Sequence, residues 1–239
     1  MDKGCTAHPL TPDLLQVQVW VTLVCLYTCE RHRTFLDEFY RSPVGRYLKQ
    51  LPDSTLLEVY ADPGTERSIH GDGRLILQTP ERYDALSLKT FEMMRYCAGR
   101  LRFRRLLKID VTVVQTRFEG PEYEGRVPID MGKLLQFLKT ASPERDYDGF
   151  RLFPAATREN ARKWASKKGR SIDYERLFGD GPMVPFFGGK AYFVSHAFAR
   201  FIAEHGAAMA RDHAEHFLGS EDVMVARLHQ KFRAGTTES

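Results

Sequence analysis

Residues 104–116 read RRLLKIDVTVVQT, an apolar, β-branched run with Lys108 and Asp110 at its centre. Residues 106–116 are predicted to form a buried strand, and a charge inside such a strand is costly unless it is paired or held at an end for a purpose. A second run, VQVWVTLVCLY at 17–27, predicts another buried strand. Between them, TFLDEFYRSPVGRYLK (34–49) predicts a helix that Pro43 ends or interrupts. TLLEVYADPG (55–64) predicts a strand stopped by Asp62, Pro63 and Gly64, and RLILQT (74–79) a third, short one. LSLKTFEMMRY (86–96) predicts a helix with Leu88, Phe91, Met94 and then Cys97 or Ala98 on one face. RLRFRR (100–105) reads as a solvated turn. Strands alternating with helices point to an α/β fold with a mixed, mostly parallel sheet, in which Asp110 lies near a carboxyl end, where open sheets bind their ligands.

The second half is less periodic. Residues 119–130 read as a connecting loop, and 143–182 show no long pattern. MVPFFGGKAYFVS (183–195) predicts a strand broken by Gly188 and Gly189, and residues 196–217 a helix. Ser220 is placed as an N-cap with Glu221 and Asp222 in the first turn of a last helix. No stretch is clean enough to cut the chain, so residues 1–239 are expected to form one domain, with a first half over 15–118 and a second over 119–232. An apolar content of 43% suffices for a sizeable core. The net charge of +4 is spread along the chain and does not point to nucleic acid; it allows anionic ligands or a membrane surface. Cys5, Cys25, Cys29 and Cys97 are too few and too irregular for a disulfide framework or a metal knuckle, so buried thiols in a reducing compartment are expected. LLQVQVWVTLVCLYTC falls short of the roughly 20 apolar residues of a membrane helix and lacks a signal-peptide pattern. A soluble cytoplasmic protein is the expectation.

Asp110 at a strand end, Gly188 and Gly189 before an aromatic strand, and the helix-initial pair Glu221 and Asp222 follow one another along the chain. Transfer of a sugar from a nucleotide diphosphate needs a means of neutralising the diphosphate, a carboxylate to deprotonate the acceptor, and a close-packed floor between them. The order of motifs also resembles a known family. YDALSLKT (83–90) is similar to the Tyr-x-Asn-Leu-Thr-Leu-Lys-Thr motif of the β-1,3-galactosyltransferase group, glycosyltransferase family 31. LLKIDVTVV stands where that family has its Lys-x-Asp-Asp-Asp strand end, and ARKW resembles its Lys-Trp segment. VPFFGGKAYFVS resembles its Tyr-Pro-x-Tyr-x-x-Gly-x-Gly-Tyr-x-x-Ser segment and SEDVMVARL its Glu-Asp-Val-Tyr-x-Gly segment. Together these span residues 17–232 in unbroken order.

The resemblance implies a GT-A, Rossmann-like fold and inverting transfer from a nucleotide sugar, commonly a UDP-sugar, to a hydroxyl of a glycan or glycolipid acceptor. By position it assigns the base to Asp222 or Glu221, with Asp222 favoured. Asp110, Thr112, Lys89, Tyr83, Thr28 and Arg31 would line the donor, and Phe187, Gly188, Gly189 and Trp164 the acceptor. Asp110 would hold Mn²⁺ or Mg²⁺, but Val111 and Thr112 replace the other two acids of the triplet, which leaves metal dependence open; a hydroxyl is a poor ligand for a hard cation. Arg31, Arg33 and Lys190 are the cations placed to meet a diphosphate instead. Ala85 replaces the motif asparagine. Peripheral contact with the inner face of a membrane is a further expectation, and a catalytically degenerate sugar-binding module of a polysaccharide-assembly system is the alternative reading.

Simpler readings stand beside these. Asp110 could pair with Lys108 or cap a loop; Glu221 and Asp222 could serve only the helix dipole. Gly188 and Gly189 could mark a bulge, and Trp164 a core anchor. RKWASKKGR (162–170) reads as an exposed charged loop, and His213 and His216 as one solvated or partly buried helix face without a third metal ligand.

Overall fold

β1 (Val19–Tyr27) is followed by a 3₁₀ turn (Glu30–His32) that leads into α1 (Arg33–Arg41). A computed structural model describes residues 19–66, 68–118, 127–155, 157–179 and 183–237. The predicted helix over 34–49 is two helices, because Pro43 opens α2 (Pro43–Lys49) at its first turn while the Ser42 hydroxyl accepts the Gly45 N–H at 3.0 Å. β2 (Ser54–Ala61), β3 (Ile69–Gly71) and β4 (Arg74–Leu77) follow, then α3 (Leu86–Arg100). β5 (Arg102–Asp110) differs from expectation at both ends. Of RLRFRR, Arg100 closes α3 and residues 102–105 open this strand, with Phe103 buried beside β1, so the stretch is not a turn. VTVV, expected as strand, is a 3₁₀ turn over Val111–Val114 whose Thr112 N–H is taken by the Asp110 side chain. The two charges therefore stand at the end of the strand.

Beyond it come α4 (Met131–Thr140), β6 (Tyr147–Gly149), β7 (Leu152–Phe153), α5 (Arg158–Lys167) and α6 (Tyr174–Phe178), none of which the sequence pattern marked. RKWASKKGR is accordingly part of a helix through Lys167 and not a loop. β8 (Phe186–Phe187) and β9 (Ala191–Ser195) are the two pieces of the glycine-broken strand, and they belong to different sheets. The single helix expected over 196–217 divides at Gly206 into α7 (His196–His205) and α8 (Ala207–His216). α9 (Glu221–Thr237) starts where Ser220 predicted it.

The main sheet has the order β3-β4-β2-β1-β5-β9-β6. β4, β2, β1, β5 and β6 run in one direction; β3 and β9 run against them. β7 and β8 form a separate antiparallel ribbon. Alternate residues of each central strand face opposite layers, as a pleated sheet buried on both sides requires. Leu23, Cys25, Tyr27 and Leu106 pack with α3, α7, α8 and α9, whereas Val24, Leu26, Leu107 and Ile109 pack with α1, α2 and α4. Cys25, Cys29 and Cys97 are buried and carry no disulfide; Cys5 and the connecting residues 119–126 lie outside the described residues. No described helix is long and apolar enough to cross a membrane. Tyr27 pairs in register with Asp110, so β1 and β5 end level with one another.

Candidate functional site

Lys108 and Asp110 are two residues apart and share a face of β5. The Lys108 side chain is 2% exposed and its ammonium lies over the Tyr27 and Tyr192 rings, at 4.5 and 5.6 Å from their centroids. Its amine donates to the carbonyl of Gly189 and, at 3.0 Å, to Glu221 Oε1. This pairing is what makes a cation tolerable at that depth. Asp110 faces a different set. Its Oδ1 accepts the Thr112 N–H at 2.8 Å and the Thr112 hydroxyl at 2.7 Å, and Lys190 stands 3.7 Å from Oδ2 while also donating to Thr112 Oγ1. Burial pushes the Asp110 carboxyl up, but Lys190, Lys108 and the two Thr112 donors outweigh it and hold the group well below the usual carboxylate range. The simple loop-cap reading of Asp110 is thus met together with an ion pair, to Lys190 and not to Lys108.

The first turn of α9 supplies the second half of the site. Glu221 points into the protein toward Lys108, and Asp222 lines a cavity of about 1040 Å³. Asp222 Oδ1 accepts the Val223 N–H at 2.9 Å and Oδ2 the Gly189 N–H at 3.3 Å. Burial, and then the neighbouring Glu221 charge, raise the Asp222 pKa to about 7, against the opposing pull of these N–H groups and Lys108. Gly189 thereby touches both carboxylates and Lys108. A Cβ there would stand 2.1 Å from Glu221 Oε1, and one on Gly188 2.6 Å from the Phe153 ring. Close approach accounts for the glycine pair, in place of a bulge.

Thr112, Lys190, Gly188, Gly189, Glu221 and Asp222 all border this one cavity, with Tyr83 and Trp164 farther along its wall. Trp164 is partly buried and packs its ring 5.9 Å from Phe217, so the core-anchor and cavity-wall readings both describe it. Phe187 is outside the cavity lining: its ring meets Tyr147 edge-on at 5.0 Å and closes over Gly149. Lys89 is 2% exposed, donating to the Thr28 carbonyl at 2.9 Å and to Glu81 at 2.7 Å. It braces the end of β1 from within. Burial lowers its pKa against the pull of Glu81. Arg31, on the turn after β1, and Arg33, at the start of α1, are exposed and do not line the cavity, which leaves Lys190 as the expected cation that the structure brings to Asp110 and Thr112.

The divalent ion that the resemblance implies is a poor fit to these residues. Asp110 has one hydroxyl neighbour in place of the second and third acids, and the Lys190 amine already holds the position between Asp110 and Thr112. Among the described residues, no group of three or more His, Cys, Asp or Glu side chains is placed to hold a metal. His213, expected on a solvated or partly buried face, is fully buried, while His216 is partly exposed. The residue that sequence reasoning left out is Lys108. Its signal was the charge inside an apolar run, but its carboxylate partner stands 113 residues away. No protein-family model matches this chain, and no curated protein does.

Proposed function

We propose that the protein is an inverting glycosyltransferase of GT-A type, which moves a sugar from a nucleotide sugar, a UDP-sugar by resemblance, to a hydroxyl of a glycan or glycolipid acceptor. The observation that carries this reading is the Asp222 carboxyl, open to the cavity and poised near pH 7 at the first turn of α9. A general base works best with its pKa near the operating pH. Glu221, committed to Lys108, is the anchor of the pair, and Asp222 is the base.

In the proposed reaction the acceptor oxygen attacks the anomeric carbon as Asp222 takes its proton. The bond from that carbon to the diphosphate oxygen breaks on the opposite side, which inverts the centre. Negative charge then grows on the departing nucleoside diphosphate, and Lys190, just before β9 and beside Asp110, is the cation that meets it. Asp110 and Thr112 hold Lys190 in place, and no step needs a metal. The second reading, a nucleotide-sugar-binding module without turnover, is favoured by one observation: Val111 and Thr112 stand where the resembled family has acids. Contact with a membrane-borne acceptor from the cytoplasmic side belongs to the same proposal.

The test is donor consumption and product formation by the wild type and by Asp222→Asn, with donor binding followed separately. Expected is a loss of about 10²-fold or more in turnover with binding retained. Equal turnover would overturn the assignment of Asp222, and binding without turnover in the wild type would select the binding module.

A further inference from the structure

His213, on α8, is fully buried and stands behind the turn that leads to Asp222. Its Nδ1 lies 3.1 Å from the Ser220 carbonyl and 3.2 Å from the Ser220 hydroxyl, while its Nε2 is buried with no hydrogen-bond partner. A carbonyl only accepts, so the ring carries its hydrogen on Nδ1 and leaves a bare lone pair at Nε2. The imidazole as a whole stands edge-on to the rings of Phe217 and Phe178, centroid to centroid 5.6 and 6.4 Å. An apolar ring would fill this place without leaving a buried acceptor unmade. What histidine supplies, and an apolar ring would not, is the Nδ1 donor.

The donor acts on a demanding piece of chain. Leu218 and Gly219 both adopt the left-handed conformation, with φ of 51° and 64°. Gly219 is pressed so closely on the backbone of Asp84 that a Cβ would lie 2.5 Å from its carbonyl. The His213 carbonyl accepts the Phe217 and Gly219 N–H groups at 3.1 and 2.7 Å, so one residue holds the turn from its backbone and from its ring. The Ser220 carbonyl that takes the ring N–H also takes the Met224 N–H at 3.1 Å, the first bond of α9. Asp222 follows two residues later, and its position against Gly189 depends on where that first turn is seated.

We propose that His213 is a positioning residue for Asp222: its Nδ1–H on the Ser220 carbonyl fixes the first turn of α9 so that the Asp222 carboxyl meets the Gly189 N–H and the cavity. The inference rests on the proposed role of Asp222, yet it can be read without any transferase activity. The charged and titratable groups around Asp222 are Glu221 on its own helix, Lys108 on β5, Tyr147 on β6 and Tyr192 on β9. Those around His213 are Asp212 and Arg227; burial and then Arg227 push its pKa down to about 3, so the ring stays neutral over the working range.

The experiment compares wild type, His213→Leu and His213→Asn, with folding checked by near-UV circular dichroism. The Asp222 carboxyl is titrated by ¹³C NMR, and kcat and donor KM are measured in parallel. Expected for His213→Leu is an Asp222 midpoint displaced from about 7 by roughly one unit or more, and kcat lower by up to about 100-fold with little change in donor KM. His213→Asn keeps an N–H near the Nδ1 position and is expected to restore most of both. A folded His213→Leu protein with an unmoved midpoint and unmoved kcat overturns the inference. If the wild type transfers no sugar, the proposed function fails while the carboxyl midpoint still decides the role of His213. If the leucine variant does not fold, the ring ¹⁵N shifts of wild type decide it: an Nδ1–H tautomer that does not titrate above pH 4 supports the proposal, and an Nε2–H tautomer overturns it.

Discussion

Asp222 and Asp110 carry opposite shifts, and their consequences for stability have opposite signs. The folded state holds the Asp222 proton up to about pH 7, whereas an unfolded aspartate releases it near 4. Between those values the folded chain binds more protons than the unfolded one, so the Asp222 contribution to stability falls as pH rises through that window. Asp110 has a depressed pKa; its contribution is present above about pH 4 and is lost as pH falls below it. Asp222→Asn is therefore expected to melt a few degrees above wild type at pH 8, by roughly 2–4 °C per kcal/mol, and to match it near pH 4. Transfer by the wild type is expected to rise with pH to a plateau above about 7; a flat profile from pH 5 to 8 would show that Asp222 does not take the proton. Lys108→Met leaves the buried Glu221 charge without its cation and is expected to lose about 3–5 kcal/mol in denaturant titration. The double change with Glu221→Leu should recover much of that. A single-variant loss below about 1 kcal/mol would mean that the pair matters little to the fold.

The connection between β8 and β9 carries the site as much as any helix does. Gly189→Ala places a methyl against Glu221, so that carboxylate must leave its 3.0 Å contact with Lys108, and the Asp222 contact with the same peptide shifts with it. Turnover is expected to drop about tenfold or more with a lower melting temperature; an alanine protein with wild-type turnover would show that the contact is not needed. The elements that carry strong local signals were legible in the sequence. β1, β2, β4 and α3 have long apolar patterns or hard stops, and the α1–α2 break follows from Pro43 with its Ser42 cap. The start of α9, and with it the pair Glu221 and Asp222, was legible from Ser220. β3, β6 and β7 were not, because strands of two or three residues show too little of the period-two pattern. The start of β5 was hidden by Arg102, Arg104 and Arg105, whose charges reach out or along the sheet: Arg104 to Glu144, Arg105 to the Thr22 hydroxyl and the Ala141 carbonyl. His213 gave no sign of its role, since that depends on a turn seven residues away.

For the whole molecule, the question is what stabilises it from outside. A ligand at 100 times its Kd adds about 2.7 kcal/mol, a shift of roughly 5–10 °C for a chain of this size. A shift of that order is expected with UDP and is expected to survive EDTA, because the Lys190 amine stands 3.7 Å from Asp110 Oδ2 and donates to the Thr112 hydroxyl. A shift that needs Mn²⁺ would restore the metal to that position and displace the ammonium from the account. The long reach of the buried ion pair also bears on how the chain comes off the ribosome. Lys108 is laid down with β5, and Glu221 is made 113 residues later, an interval on the order of ten seconds at ordinary rates of synthesis. Throughout it Lys108 lacks Glu221, and the ion pair at the end of the sheet is completed only when α9 docks. Docking pairs Lys108 with Glu221 and brings Asp222 against the Gly189 N–H in the same event, so a half-made chain lacks both contacts and a finished one gains them together.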